Sequence, residues 1–248
     1  MNTLIFIAAL PVIALLIFVY VRDIDKEPHR LLLKLFLFGC LTTVGALILE
    51  LAIDQLFLPS DGIYYSYSGF FMSILLGVAL VEEGLKWIVV FLIGYKSEEF
   101  NHHYDAIVYA VFVSLGFALV ENIEYVFAYG ASTGIVRGFT AIPCHACNAM
   151  FMGYFFGRAK TCAAQGNASL EKFHLAMSII VPTFTHGVYD FLLMAAEATE
   201  STSLGIASVV YMIVFFAIAF WIVNRVSKVE YNFDGTPARH DRELPYTR

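Results

Sequence analysis

Charge is scarce in this chain. Only 15% of its 248 residues are Asp, Glu, Lys or Arg, and 59% are hydrophobic. A soluble domain carries about 25% charged residues, so a soluble globular class is excluded. No basic patch interleaves with aromatic residues, which excludes nucleic acid as a partner. Cysteine is limited to Cys40, Cys144, Cys147 and Cys162, all in or beside apolar runs, so no disulfide framework is expected. The "CHAC" run, Cys144 to Cys147, has redox spacing but no βαβ context, and reads as small apolar packing. Also missing are H-E-x-x-H, G-x-S-x-G and any Ser–His or Asp–Asp dyad, which removes the soluble zincins and the common serine and aspartyl sites as templates. Repeats, low-complexity tracts and a second domain are absent too. The first apolar segment has no basic leader and no A-x-A-like cleavage site, so it reads as a retained span.

What is present is a series of long apolar runs, the signature of an all-helical polytopic membrane protein. Seven spans are expected, near residues 2–21, 31–53, 68–94, 104–129, 134–157, 172–196 and 204–226. Lys and Arg alternate between the connections. The first holds Arg22, Lys26, Arg30 and Lys34; the third Lys96; the fifth Arg158, Lys160 and Lys172; and the segment after the last span Arg225 and Lys228. The second, fourth and sixth connections have no Lys or Arg. By the positive-inside rule the amino terminus is outside and the carboxyl terminus cytoplasmic. Residues 1–228 then form the membrane domain. Residues 229–248 are polar, contain two prolines and read as a mobile cytoplasmic tail. The "DGIYYSYSGFF" run before span three reads as an aromatic belt at the outer surface.

Within the spans, ionisable residues cost at least ~2.5 kcal/mol each on insertion scales, so each needs a partner or a task. Span three has Glu82, Glu83 and Lys86; span four Glu121, Asn122 and Glu124; span five His145 and Asn148; span six His186 and Asp190. Counting at 1.5 Å per residue places Glu82 ~21 Å, Glu121 ~12 Å, His145 ~17 Å and His186 ~15 Å from the outer ends of their spans. Four spans thus deliver polar groups to one layer between the midplane and the outer third. His186 and Asp190 share a face at i, i+4, as do Glu82 and Lys86. Glu82 and Glu83 diverge by about 100°, so one carboxylate is expected to face a cavity and the other to be neutralised by Lys86. Arg137, near the outer end of span five, is placed either to snorkel or to bind a substrate carbonyl or carboxylate. A buried structural Glu–Lys pair explains span three alone, but not four spans at matched depth.

Such a pocket suits hydrolysis. A buried carboxylate can act as general base on water, while imidazoles stabilise an oxyanion or hold a metal. Two histidines with carboxylates also match a zinc site with an open position. Proton-coupled transport is the competing chemistry, weakened by the lack of an evident inverted repeat. A third class is a non-catalytic membrane receptor, disfavoured by the unbroken set of polar motifs.

The order of these motifs resembles the PrsW family of intramembrane proteases, allied to the CAAX prenyl proteases of the Abi group. The resemblance runs through "YVRDIDKEP" (from Tyr20), "EEGLK" (Glu82 to Lys86), "DAIVYA" (from Asp105), "FALVEN" (Phe117 to Asn122), His145 and "HGVYD" (His186 to Asp190). It implies an endopeptidase in a bacterial cytoplasmic membrane that cleaves a single-pass membrane protein, such as an anti-sigma factor, near its extracytoplasmic end. Carried over, Glu82 activates water, Glu83 pairs with Lys86 or assists, and His145 and His186 stabilise the oxyanion. Asp190 orients His186 or a metal. Asn122 and Arg137 are supporting residues. Where the allied enzymes have F-x-x-x-H this chain has Glu121, so that imidazole role is absent or moves to His145. The cofactor is zinc, held among Glu121, His145, His186 and Asp190, or none.

Overall fold

The computed structural model describes residues 2–57, 66–228 and 233, and every regular element among them is helical. In chain order these are α1 (Asn2–Arg22), α2 (His29–Phe57), α3 (Tyr67–Ile74), α4 (Leu80–Val89), α5 (His103–Tyr129), α6 (Ala131–Phe139), α7 (Ala141–Ala164), α8 (Ala168–Ala198) and α9 (Thr202–Val226). Five of them, α1, α2, α5, α8 and α9, contain stretches long and apolar enough to cross a membrane. The chain is thus all-helical and multi-pass.

The other two expected spans are subdivided, each for a local reason. Residues 68–94 contain α3 and α4, with π-helical turns at Leu75–Ala79 and Val90–Tyr95 on either side of α4. A π turn adds a residue to the helical repeat and so re-aims whatever follows it, and the turns here bracket Glu82, Glu83 and Lys86. Residues 134–157 are split at Thr140, whose backbone (φ −120°, ψ −80°) leaves the helical region and separates α6 from α7. Pro143 then lies in the first turn of α7, where its missing N–H costs nothing.

Helix α5 is the centre of the bundle, packed on α1, α2 and α7, while α7 also packs on α8. Close crossings depend on glycine. A Cβ on Gly116 would lie 2.2 Å from the Phe36 carbonyl oxygen, and one on Gly39 2.0 Å from that of Val113, so α2 and α5 meet backbone to backbone. Gly153 does the same between α7 and α5, where a Cβ would fall 2.4 Å from the Ile107 Cα. Small residues at such crossings are what drives helix association where lipid removes the hydrophobic incentive. Because α7 is enclosed this way, its polar face needs no lipid compatibility, and it can hold His145 and Asn148 buried.

The connection between α1 and α2 is fastened to the start of α5. The Tyr109 hydroxyl donates to Glu27 Oε2 at 2.7 Å, and the Tyr104 hydroxyl to the Val19 carbonyl at 3.2 Å. Asp105 Oδ2 accepts from the backbone N–H groups of Asn101 and His102 at 2.9 and 2.7 Å, closing the first turn of α5. Two of the sequence segments noted above, "YVRDIDKEP" and "DAIVYA", therefore form one contact. Of the expected tail, 229–248, only Phe233 belongs to the described residues; its ring packs edge-on against Phe100 at 5.1 Å. Residues 58–65 likewise lie outside them, and with them the first five residues, 61–65, of the expected aromatic belt.

Two outcomes follow. Gly116→Ala and Gly153→Ala should each lower stability by about 1–3 kcal/mol through forced separation of backbones. Gly205→Ala on α9, with nothing within 4 Å of its Cβ, should leave stability unchanged or slightly raised. Thermal unfolding midpoints in one detergent measure all three. Second, burial pushes the Glu27 carboxyl up to about 7, with Glu99 and Asp25 adding repulsion and the Tyr109 hydrogen bond opposing. A carboxyl whose folded pKa exceeds its unfolded value near 4.5 keeps its proton longer in the folded chain. Stability therefore falls as pH rises across that interval. The midpoint should decline from about pH 5 to about pH 7, and Glu27→Gln should flatten that slope.

Candidate active site

Helix α4 presents three charged side chains to the bundle interior, and all are buried. Lys86 lies at the hub. Its ammonium is 3.0 Å from Glu82 Oε2, 2.9 Å from Glu83 Oε1 and 3.2 Å from His145 Nδ1, and it sits 3.9 Å from the centre of the Phe117 ring. Lys86 thus meets both carboxylates, where the 100° divergence of Glu82 and Glu83 implies only one. The lysine stem is long enough to reach both i−3 and i−4 positions on the preceding turn.

The two carboxylates are held differently. Glu83 is wholly enclosed, and Oε1 is shared between Lys86 and His186 Nδ1 at 3.0 Å, while Oε2 has no hydrogen-bond partner among the described residues. Glu82 remains 6% exposed and hydrogen-bonds only to Lys86 among the described residues. Each imidazole has a carboxylate on its outward nitrogen. His145 Nε2 is 2.9 Å from Glu121 Oε2, and His186 Nε2 is 3.1 Å from Asp190 Oδ2. The rings stand edge to face with centres 5.3 Å apart.

Glu121 is in turn anchored by Arg137 Nη2 at 2.8 Å. Arg137 Nε donates to Asn122 Oδ1 at 3.2 Å, and Asn122 Nδ2 donates to the Ala8 carbonyl of α1 at 3.2 Å. Arg137 also covers the Tyr125 ring at 3.8 Å. Its position on the separate helix α6 lets it turn back into the bundle. The residues expected from sequence, Glu82, Glu83, Lys86, Glu121, Asn122, Arg137, His145, His186 and Asp190, therefore form one connected network. Glu124, also in that span, is exposed.

Sequence reasoning misses one member. Glu50, on α2, is half-buried, has a buried carboxylate oxygen without a partner, and lies within electrostatic reach of Glu82, Glu121, Lys86 and His186. A depth count is the signal that could find it: Glu50 lies seven residues, ~11 Å, before the last residue of α2, close to the depth counted for Glu121. Asn148 and Thr185 add a buried brace between α7 and α8, with a 2.7 Å hydrogen bond.

Glu82, Glu83, His145 and His186 offer four ligand atoms all within 4.8 Å of one another. Two imidazoles and two carboxylates are a donor set that suits zinc, and a carboxylate behind each histidine is the outer arrangement that orients such ligands. The unpartnered Glu83 Oε2 is a further donor. These residues fit a metal of that type. Glu121 and Asp190, expected among the ligands, sit instead on the far nitrogens of the two rings.

Comparisons with known proteins agree with this constellation. A family model described as PrsW family intramembrane metalloprotease matches residues 27–222. Protease PrsW of Geobacillus kaustophilus (strain HTA426) is 38% identical over 198 residues, covering 79% of this chain and 82% of that one. Protease PrsW of Bacillus subtilis (strain 168) is 32% identical over 219 residues, covering 88% and 91%. That of Clostridioides difficile (strain 630) is 32% identical over 182 residues, covering 71% and 73%. No solved structure matches the chain. With the family model spanning all the site's helices and the matches running over most of both chains, this bacterial multi-pass membrane protein belongs to the PrsW family of intramembrane proteases.

Proposed function

We propose that the chain is an endopeptidase that crosses the cytoplasmic membrane seven times, amino terminus outside, and cleaves a single-pass membrane protein near its extracytoplasmic end. Anti-sigma factors are substrates of that class. The observation that carries the reading is the buried convergence of Glu82, Glu83, His145 and His186, with a carboxylate behind each imidazole. Alternation of Lys and Arg between connections supports the orientation. Matched depths support cleavage in the outer half of the bilayer.

Glu82 is the general base. It is the less restrained of the two adjacent carboxylates and the one with residual access. It takes a proton from the attacking water as the oxygen bonds to the scissile carbonyl carbon, and delivers that proton to the departing amine as the C–N bond breaks. Lys86 holds the Glu82 carboxylate in place and lies beside the developing oxyanion. His145, His186 and Glu83 would hold a zinc ion, which when bound supplies a Lewis acid that polarises the carbonyl and acidifies water. Glu121 and Asp190 fix which nitrogen of each ring points inward. Arg137 and Asn122 keep Glu121 in place.

Two results test this. Glu82→Gln should reduce cleavage of a co-expressed single-pass reporter by at least about 100-fold, with the protein still accumulating in the membrane. Retained cleavage in that variant sinks the assignment of the base. The purified protein should contain one zinc per chain, lost in His145→Ala and in His186→Ala. Full peptidase activity in metal-free protein would instead favour glutamate-activated water without zinc.

A further inference from the structure

At the end of the bundle opposite the catalytic network, the start of α5 and the ends of α7 and α9 enclose a cavity of about 460 Å³. Its walls include His103 of α5, Tyr154 and Arg158 of α7, and Trp221, Ile222 and Arg225 of α9. Two guanidinium groups from different helices thus face one space. Neither Arg158 nor Arg225 forms an ion pair among the described residues. Arg225 has only the face of the Trp221 ring, 5.5 Å from its centroid. The other described cavities differ. One, between α1 and α6, is lined entirely by apolar residues and glycine, and the other, between α1 and α2, has no Arg or Lys.

Uncompensated guanidinium groups at the edge of the hydrocarbon favour a phosphate-bearing anion, which each can meet with paired N–H donors. The volume is that of a small-molecule site and exceeds what a lone ion needs. Trp221 is 59% exposed on a helix that faces lipid, so the occupant reaches the cavity from the leaflet. Exposed tryptophan at such a depth is an interfacial anchor. Arg158, Lys160, Arg225 and Lys228 mark this as the basic end of the molecule. On the orientation given above it faces the anionic cytoplasmic leaflet, where basic pockets between spans take acidic headgroups.

We infer that the cavity between α5, α7 and α9 binds the phosphodiester headgroup of an anionic phospholipid, held by Arg158 and Arg225 with Trp221 at the level of the glycerol. The bound lipid joins the start of α5 to the ends of α7 and α9. It thereby braces two helices whose far halves position Glu121 and His145.

The test uses the full chain in membranes of phosphatidylcholine alone or with phosphatidylglycerol. Phosphatidylglycerol should raise the thermal midpoint of the wild type, and native mass spectrometry should retain one such lipid per chain. In Arg158→Gln/Arg225→Gln both effects should be lost, with affinity reduced at least about tenfold for each arginine. Lys228→Gln, at the same face but outside the cavity, should behave as wild type. Equal lipid retention by the double variant and the wild type overturns the inference. So does a lower midpoint of the double variant in phosphatidylcholine alone, which would give the arginines a structural role. Inorganic phosphate reproducing the shift without anionic lipid overturns the choice of a lipid. Proteolytic activity is not read in any arm, so failure here is distinct from failure of the proposed mechanism.

Discussion

Everything at the site depends on one buried ammonium. Lys86 is fully enclosed, yet it compensates two carboxylates and occupies the Nδ1 face of an imidazole from another helix. An unpaired charge at this depth would cost several kcal/mol, and removing Lys86 would strip Glu82 of its cation and leave Glu83 with His186 alone. The same contacts tie α4 to α7, and Glu83 continues the tie to α8 through His186. Packing and chemistry are therefore not separable here. The helices that would hold the reacting groups are held together by those groups.

The backbone is arranged around this demand. Two π turns bracket α4, and glycines at the α2–α5 and α5–α7 crossings bring the backbones within reach of one another. Close approach matters because side chains such as Glu121 are short. The ion pair to Arg137 and the hydrogen bond from Asn122 to the Ala8 carbonyl carry the network outward to α6 and α1. A displacement of α6 would reach the outer nitrogen of His145 through two contacts, and one of α1 through four.

Much of this is legible in the amino-acid order. Spacing at i, i+4 identifies the His186–Asp190 pair, and depth counting brings Glu82, Glu121, His145 and His186 to one layer. What does not read through is side-chain reach and helix continuity. The angle between Glu82 and Glu83 implies different partners, but a lysine stem spans that angle. Arg137 looks like a residue at the end of a long span because nothing in its apolar neighbours announces the break at Thr140. Glu50 is easily passed over because α2 has a second carboxylate, Asp54, one turn later and no histidine nearby in sequence. The count of crossings is similarly blurred, since α7 is shielded by its neighbours and need not be apolar throughout.

Charge balance gives a further argument about the metal. An ammonium has only donors, so the contact with Lys86 requires His145 Nδ1 to accept, and its proton lies on Nε2 toward Glu121. His186 has carboxyl oxygens on both nitrogens, and with both carboxyls ionised it satisfies them by donating from both, as an imidazolium. Within the hydrogen-bonded network, with half-buried Glu50 left aside, Glu82, Glu83, Glu121 and Asp190 then face three cations: Lys86, Arg137 and His186. One negative charge is left over in a region where excess charge is expensive. A divalent cation in exchange for the inward proton of His186 would remove that excess, and at His145 it would have to displace the Lys86 ammonium from Nδ1. The network is thus short of the one unit of positive charge that this exchange would supply, and binding would release a proton and strengthen with rising pH.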